Sequence, residues 1–183
     1  VEPDLMTVAK GLTAGYAPMG AVLMSDAVYQ GIADGDPTAA IGHGHTYSAH
    51  PVSAAIGLEV LRLYHEGGLL ANGIARGPRF AQGLDALLAH PLVGDARHRG
   101  LLGALELVAD KASKRRFDPS LTLPDRIATA AYANGLVFRA FGDGVLGFAP
   151  ALSYTESEFD LMFERLEKTL DDVLAQSEVR AAL

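Results

Sequence analysis

Lys10 is the first residue whose setting could do chemistry. An apolar run over residues 5–9 reads as a short buried strand that delivers Lys10 into a turn punctuated by Gly11, Gly15 and Gly20, before a second apolar run over 21–24. No other lysine precedes Lys111, so this part of the chain does not scatter lysines over its surface. A lysine at a strand end is ordinarily solvated, because it is almost never buried unpaired. Placed at the mouth of a core, the same amine loses hydration, its pKa falls, and it can attack a carbonyl to form a Schiff base.

A second cluster is His43-Gly44-His45-Thr46-Tyr47-Ser48-Ala49-His50-Pro51. Three histidines within eight residues suggest a metal, and His43 and His45 could share one face of a strand. No Asp, Glu or His group follows at a spacing that would complete a zinc shell, so no metal is expected. Read as a polar turn, the stretch offers hydroxyls and rings to cap the helix that Pro51 begins. The third candidate is Arg139, with Phe138 and Phe141 as aromatic neighbours. A salt bridge or cation–π contact would be its structural role. A planar guanidinium also grips a carboxylate bidentately, as a lysine does not.

The elements that must position these residues follow from periodicity. Ser25 and Asp26 cap a short helix, and residues 31–42, rich in Gly, Asp, Pro and Ala, read as a surface loop. The helix from Pro51 carries Val52, Ile56, Val60, Leu61 and Tyr64 as an apolar stripe, most simply core. A helix follows over 67–88, irregular at Gly77-Pro78 and ended by His90-Pro91. Then come strands over 92–96 and 101–108, a basic loop over 109–122, and a helix from Leu123 that stops at Asn134-Gly135. Two strands flank Gly142-Asp143-Gly144 like a hairpin, and a last helix starts at Thr155 with Glu158 completing a capping box.

Bulk properties narrow the class. The 183 residues carry a net charge of −7, 49% hydrophobic and 20% charged residues, ordinary values for a globular protein. The acidic balance argues against partners such as nucleic acid or anionic membranes. With no cysteine, disulfides and thiolate metal sites are excluded. No apolar run approaches the roughly 20 residues of a membrane span, and no leader is visible, so a cytoplasmic protein is expected. The Gly-rich turn lacks the spacing of a phosphate-binding loop, and no dinucleotide fingerprint occurs.

The segment PDLMTVAKGLTAGYAPMGAV resembles the lysine segment of the class III, or omega-type, aminotransferases, which depend on pyridoxal 5′-phosphate. HGHTYSAHP resembles the same family's segment ahead of a helix, with Ala49 where the family more often has glycine. The resemblance spans nearly the whole chain. It implies the α/β architecture of the fold-type I transferases: the end of the large cofactor domain over residues 1–66, then a linking helix and a small α+β domain over 67–183. It implies that Lys10 holds the cofactor and moves the proton, and that Thr46 binds the cofactor phosphate of the partner subunit. A homodimer with a shared active site follows. Arg139 aligns with the arginine that takes the carboxylate of an amino or keto acid.

The implied reaction moves an amino group from an amine or omega-amino acid to a keto acid such as pyruvate. Racemisation, aminomutation or decarboxylation could use the same Lys10 and Thr46. A fragment without activity of its own is the further alternative. Val1 opens without methionine almost at the candidate site, so a missing amino-terminal portion of the same protein is expected to supply the ring that stacks on the cofactor and the carboxylate for its pyridine nitrogen.

Overall fold

The computed structural model describes residues 2–35 and 44–183, and the chain separates into two compact units, Val1–Gly68 and Leu69–Leu183. In the first unit, Leu5–Val8 (β1) and Ala21–Met24 (β2) pair antiparallel, Leu5 opposite Met24 and Val8 opposite Ala21. Asp26–Ala33 (α1) starts where the Ser-Asp pair predicts, with the Ser25 hydroxyl accepting the Val28 amide. The helix, expected to run through Tyr29 and Ile32, ends at Ala33, so it takes in the first residues of the loop expected over 31–42. Residues 36–43, including His43, lie outside the described residues. Pro51–His65 (α2) has Pro51 in its first turn, where no N–H is needed.

The expected burial of the first strand is not observed. Leu5 is 57% exposed, and Met6, Val22, Leu23 and Met24 are exposed as well. A two-stranded ribbon leaves both faces open unless another layer covers them, and no described element does so here. On α2 only Gly57 and Val60 are buried, so the predicted apolar stripe is mostly uncovered.

The second unit builds its own core. Leu69–Ala86 (α3) runs through Pro78 without breaking. Pro78 and Ile74, the residue whose carbonyl it deprives of a donor, both lie on the exposed face of the helix. Val93–Arg99 (β3), Leu102–Leu107 (β4), Arg139–Ala140 (β5) and Val145–Phe148 (β6) form an antiparallel sheet in the order β3-β4-β6-β5. Against the expectation from sequence, β3 extends to Arg99 and β5 shrinks to two residues. Leu123–Ala133 (α4), Glu156–Leu174 (α5) and Ser177–Ala181 (α6) complete the unit, and α5 opens with the predicted capping box between Thr155 and Glu158. Phe80 and Leu84 of α3 meet Leu105 and Leu146 of the sheet, Ile127 of α4, and Phe159, Phe163 and Leu166 of α5. Among the described residues no helix is long and apolar enough to cross a membrane.

Gly83 lets α3 approach α5, since a Cβ there would run into the Phe163 ring. Gly83→Ala should therefore destabilise the protein by about 1–3 kcal/mol through overpacking, read as a lower denaturant midpoint. His90 is buried where α3 ends; its Nδ1 accepts the Leu92 amide at 3.2 Å and its Nε2 lies 3.3 Å from Asp171 Oδ1. Burial pushes the imidazole below its ordinary value of 6.5, and the Asp171 carboxylate only partly offsets this. The unfolded imidazole protonates before the native one, so its contribution is complete above pH 6.5 and declines below it until the folded group titrates too. His90→Asn should flatten that part of the curve when urea midpoints are compared between about pH 5 and 7.5.

Candidate active site

The chain leaves β1 at Val8 and Lys10–Leu12 makes one tight 3₁₀ turn. Leu12 N–H donates to Ala9 O at 3.1 Å, Thr13 N–H to Lys10 O at 3.3 Å and Ala14 N–H to Gly11 O at 3.3 Å. Lys10 sits at φ 48° and Ala14 at φ 50°, both in the left-handed region that non-glycine residues avoid. Each such residue costs roughly 1–3 kcal/mol and persists only where surrounding contacts over-determine it. Two contacts do so here. The buried Thr13 hydroxyl donates to Ala17 O at 2.6 Å, and the Tyr64 hydroxyl of α2 donates to Gly11 O at 2.6 Å.

The Lys10 ammonium has no hydrogen bond or ion pair among the described residues. Within this chain it is exposed rather than set at the mouth of a core, because the first unit buries too little apolar surface to enclose it. An exposed, unpaired amine on a fixed turn is nonetheless free to condense with an aldehyde.

Thr46 stands in an exposed turn immediately before α2. The His45 amide donates to Ser48 Oγ at 2.9 Å, Ser48 N–H to His45 O at 2.9 Å, and the Ser53 amide to His50 Nδ1 at 3.4 Å. The Thr46 hydroxyl makes no hydrogen bond among the described residues. Ala49 is left-handed at φ 57°, a conformation glycine takes without strain. Beside this turn lies a cleft of 760 Å³ walled by Tyr16, Pro18 and Met19 on one side and Tyr47, His50 and Ile56 on the other. Neither Lys10 nor Thr46 lines it.

Arg139 belongs to the second unit, on β5 opposite Gly147. Its guanidinium lies 5.5 Å from the centroid of the Phe141 ring and has no acidic partner among the described residues. The predicted cation–π contact is present, and the charge remains available to an anion. The first unit thus carries an amine and a hydroxyl, and the second carries a guanidinium. Sequence reasoning missed Thr13 and Tyr64. Tyr64 sits at a helical spacing that reads as core, and only the fold brings it to Gly11.

Sequence comparison decides what these groups belong to. The model of the family described as aminotransferase class-III matches residues 1–170. The chain belongs to the class-III aminotransferases. It is 40% identical over 176 residues to the diaminobutyrate–2-oxoglutarate transaminase of Halomonas elongata, covering 94% of this chain and 38% of that protein. The crystal structure of a thermostable (S)-enantioselective omega-transaminase from Thermomicrobium roseum matches with a TM-score of 0.89 at 38% identity, over 95% of this chain and 38% of that one. The PMP-bound aminotransferase of Vibrio fluvialis matches with a TM-score of 0.86 at 36% identity, over 96% of this chain and 39% of that one. The α/β architecture is that of the fold-type I, pyridoxal-phosphate-dependent transaminases. This class-III chain spans 38% of the length of its Halomonas relative.

The left-handed backbone at position 49 is one that glycine adopts more easily than alanine. Ala49→Gly should stabilise the turn ahead of α2 by about 0.5–1 kcal/mol, the relief of the Cβ clash less the greater entropy of unfolded glycine. Slower amide exchange over residues 46–50 would record it.

Proposed function

We propose that the complete protein of which this chain is part is a pyridoxal-phosphate-dependent aminotransferase, moving an amino group from an amine or omega-amino acid to a keto acid such as pyruvate. The observation that carries this reading is Lys10: in a class-III chain, a lysine amine with no partner among the described residues stands on a backbone held in a strained conformation. The names of relatives such as the diaminobutyrate and putrescine transaminases point to amino donors with a terminal amine.

The donor set fits both ends of the cofactor. Lys10 offers the amine for the aldehyde of its own subunit's cofactor, and Thr46 offers a hydroxyl for the phosphate of the partner subunit's cofactor, beside the start of α2, where backbone N–H groups favour negative charge. The bound cofactor supplies an electron sink for the carbon that loses its proton. Lys10 would hold the cofactor through its aldehyde and, when released, its Nζ would carry the proton that the substrate carbon gives up. Arg139 holds the carboxylate of an amino or keto acid by two parallel N–H···O bonds and turns away when an uncharged amine enters.

In this reading residues 1–66 are the end of the large cofactor domain and 67–183 the linking helix and small domain. The exposed apolar residues of the first unit, Leu5, Met6, Val22, Leu23 and Leu58 among them, support a need for the remaining polypeptide and for a second subunit, whose cofactor phosphate Thr46 reaches.

The test uses the full-length protein. With added pyridoxal 5′-phosphate the native protein should develop a visible absorption band and transfer amino groups to pyruvate. Lys10→Ala should lose the lysine-dependent band and lower turnover by roughly 10²–10⁴-fold, the range typical of a lost acid–base group. No band and no transfer from the native full-length protein would refute the reading. Arg139→Ala should raise KM for pyruvate by roughly 10–100-fold, the worth of a lost charged hydrogen bond, while uncharged amine donors keep theirs.

A further inference from the structure

Tyr64 occupies the last turn of α2, and its hydroxyl reaches back across 53 residues to donate to the Gly11 carbonyl at 2.6 Å. That carbonyl follows Lys10 directly and already accepts the Ala14 amide at 3.3 Å. Seven residues earlier, two turns along the same helix face, α2 touches the same loop again. A Cβ on Gly57 would lie 3.3 Å from Met19 Sδ and 3.6 Å from Leu12 O, so glycine there allows the helix its close approach. Gly57 sets the distance of α2 from the turn, and Tyr64 closes the contact with a directional bond.

The consequence falls on Lys10. Its ammonium has no side-chain partner among the described residues, so the backbone that carries it sets the origin and direction from which the flexible side chain reaches out. That backbone is left-handed at φ 48°. Rotation back toward an ordinary φ would swing the following peptide units, the Gly11 carbonyl included, away from a hydroxyl anchored on a 15-residue helix. We propose that Tyr64 is a positioning residue for Lys10, its hydroxyl holding the Gly11 carbonyl so that the lysine side chain leaves the turn in one direction for condensation and proton transfer. This rests on the reading of Lys10 as the cofactor lysine. Positioning of this kind acts on the reaction rate rather than on binding, because small displacements of a reacting group are costly in rate.

The decisive variant is Tyr64→Phe in the full-length protein, which keeps the ring and removes only the donor. Freed of cofactor, native and variant proteins are mixed with pyridoxal 5′-phosphate for timed intervals. Condensation of amine and aldehyde loses one water, and borohydride then reduces the product to a stable secondary amine, located by peptide mass. The expected result is labelling at Lys10 at least tenfold slower in Tyr64→Phe, with unchanged labelling of Lys111 and Lys114 and a thermal midpoint within a few degrees of native. In steady state kcat should fall with little change in KM. Equal labelling rates at Lys10 in two folded proteins would overturn the assignment and leave the cofactor lysine intact. Failure of the native protein to label at Lys10 would remove both. If Tyr64→Phe does not fold, Tyr64→Gln returns an N–H donor without the ring. Labelling within threefold of native then supports the hydrogen bond as the cause, and a tenfold loss despite the donor overturns it.

Discussion

A lysine kept in the left-handed backbone region is the constraint on which the first unit depends. Lys10 at φ 48° and Ala14 at φ 50° bracket a turn that would relax if left alone. It does not relax because Thr13 ties the turn to Ala17 from inside and Tyr64 ties it to α2 from outside. Both bonds are short, and both end on backbone carbonyls. The first unit therefore spends its order on a few directional contacts around one amine rather than on a broad apolar core.

The second unit is organised on the opposite principle. Three phenylalanines, Phe80, Phe159 and Phe163, pack between α3 and α5, and the sheet closes over them through Leu105 and Leu146. Glycines at 83 and 103 permit that closeness, and the Arg76–Glu156 and Arg79–Asp160 pairs lie along its rim. Exposed pairs of this sort contribute at most about 1 kcal/mol each, so buried apolar surface dominates. Arg139 takes its place from this stable sheet, with no acidic partner among the described residues and its guanidinium 5.5 Å from the centre of the Phe141 ring.

Much of this was legible in the residues because the signals are local. Ser25 before a helix, Pro51 at a first turn, Thr155 with Glu158, and Asn134-Gly135 at a stop all act within four residues, and each stands where its chemistry predicts. Lys10, Thr46 and Arg139 were singled out by family resemblance, and Ala49, expected where the family more often has glycine, lies at a left-handed backbone angle. The misreadings have non-local causes. An apolar strand reads as buried from its sequence, yet burial needs a covering layer, and Leu5 to Val8 has none among the described residues. Tyr64 reads as core because its spacing is helical, while its bond to Gly11 depends on how α2 returns to β1. Strand lengths at β3 and β5 follow from pairing partners, which periodicity alone does not specify.

The most direct measurement is an experimental structure of the full-length protein with pyridoxal 5′-phosphate bound. The account predicts density continuous from Lys10 Nζ to the cofactor, with the cofactor phosphate against the partner subunit's Thr46. Continuous density from a different lysine, or a phosphate held away from Thr46 of either subunit, would contradict it.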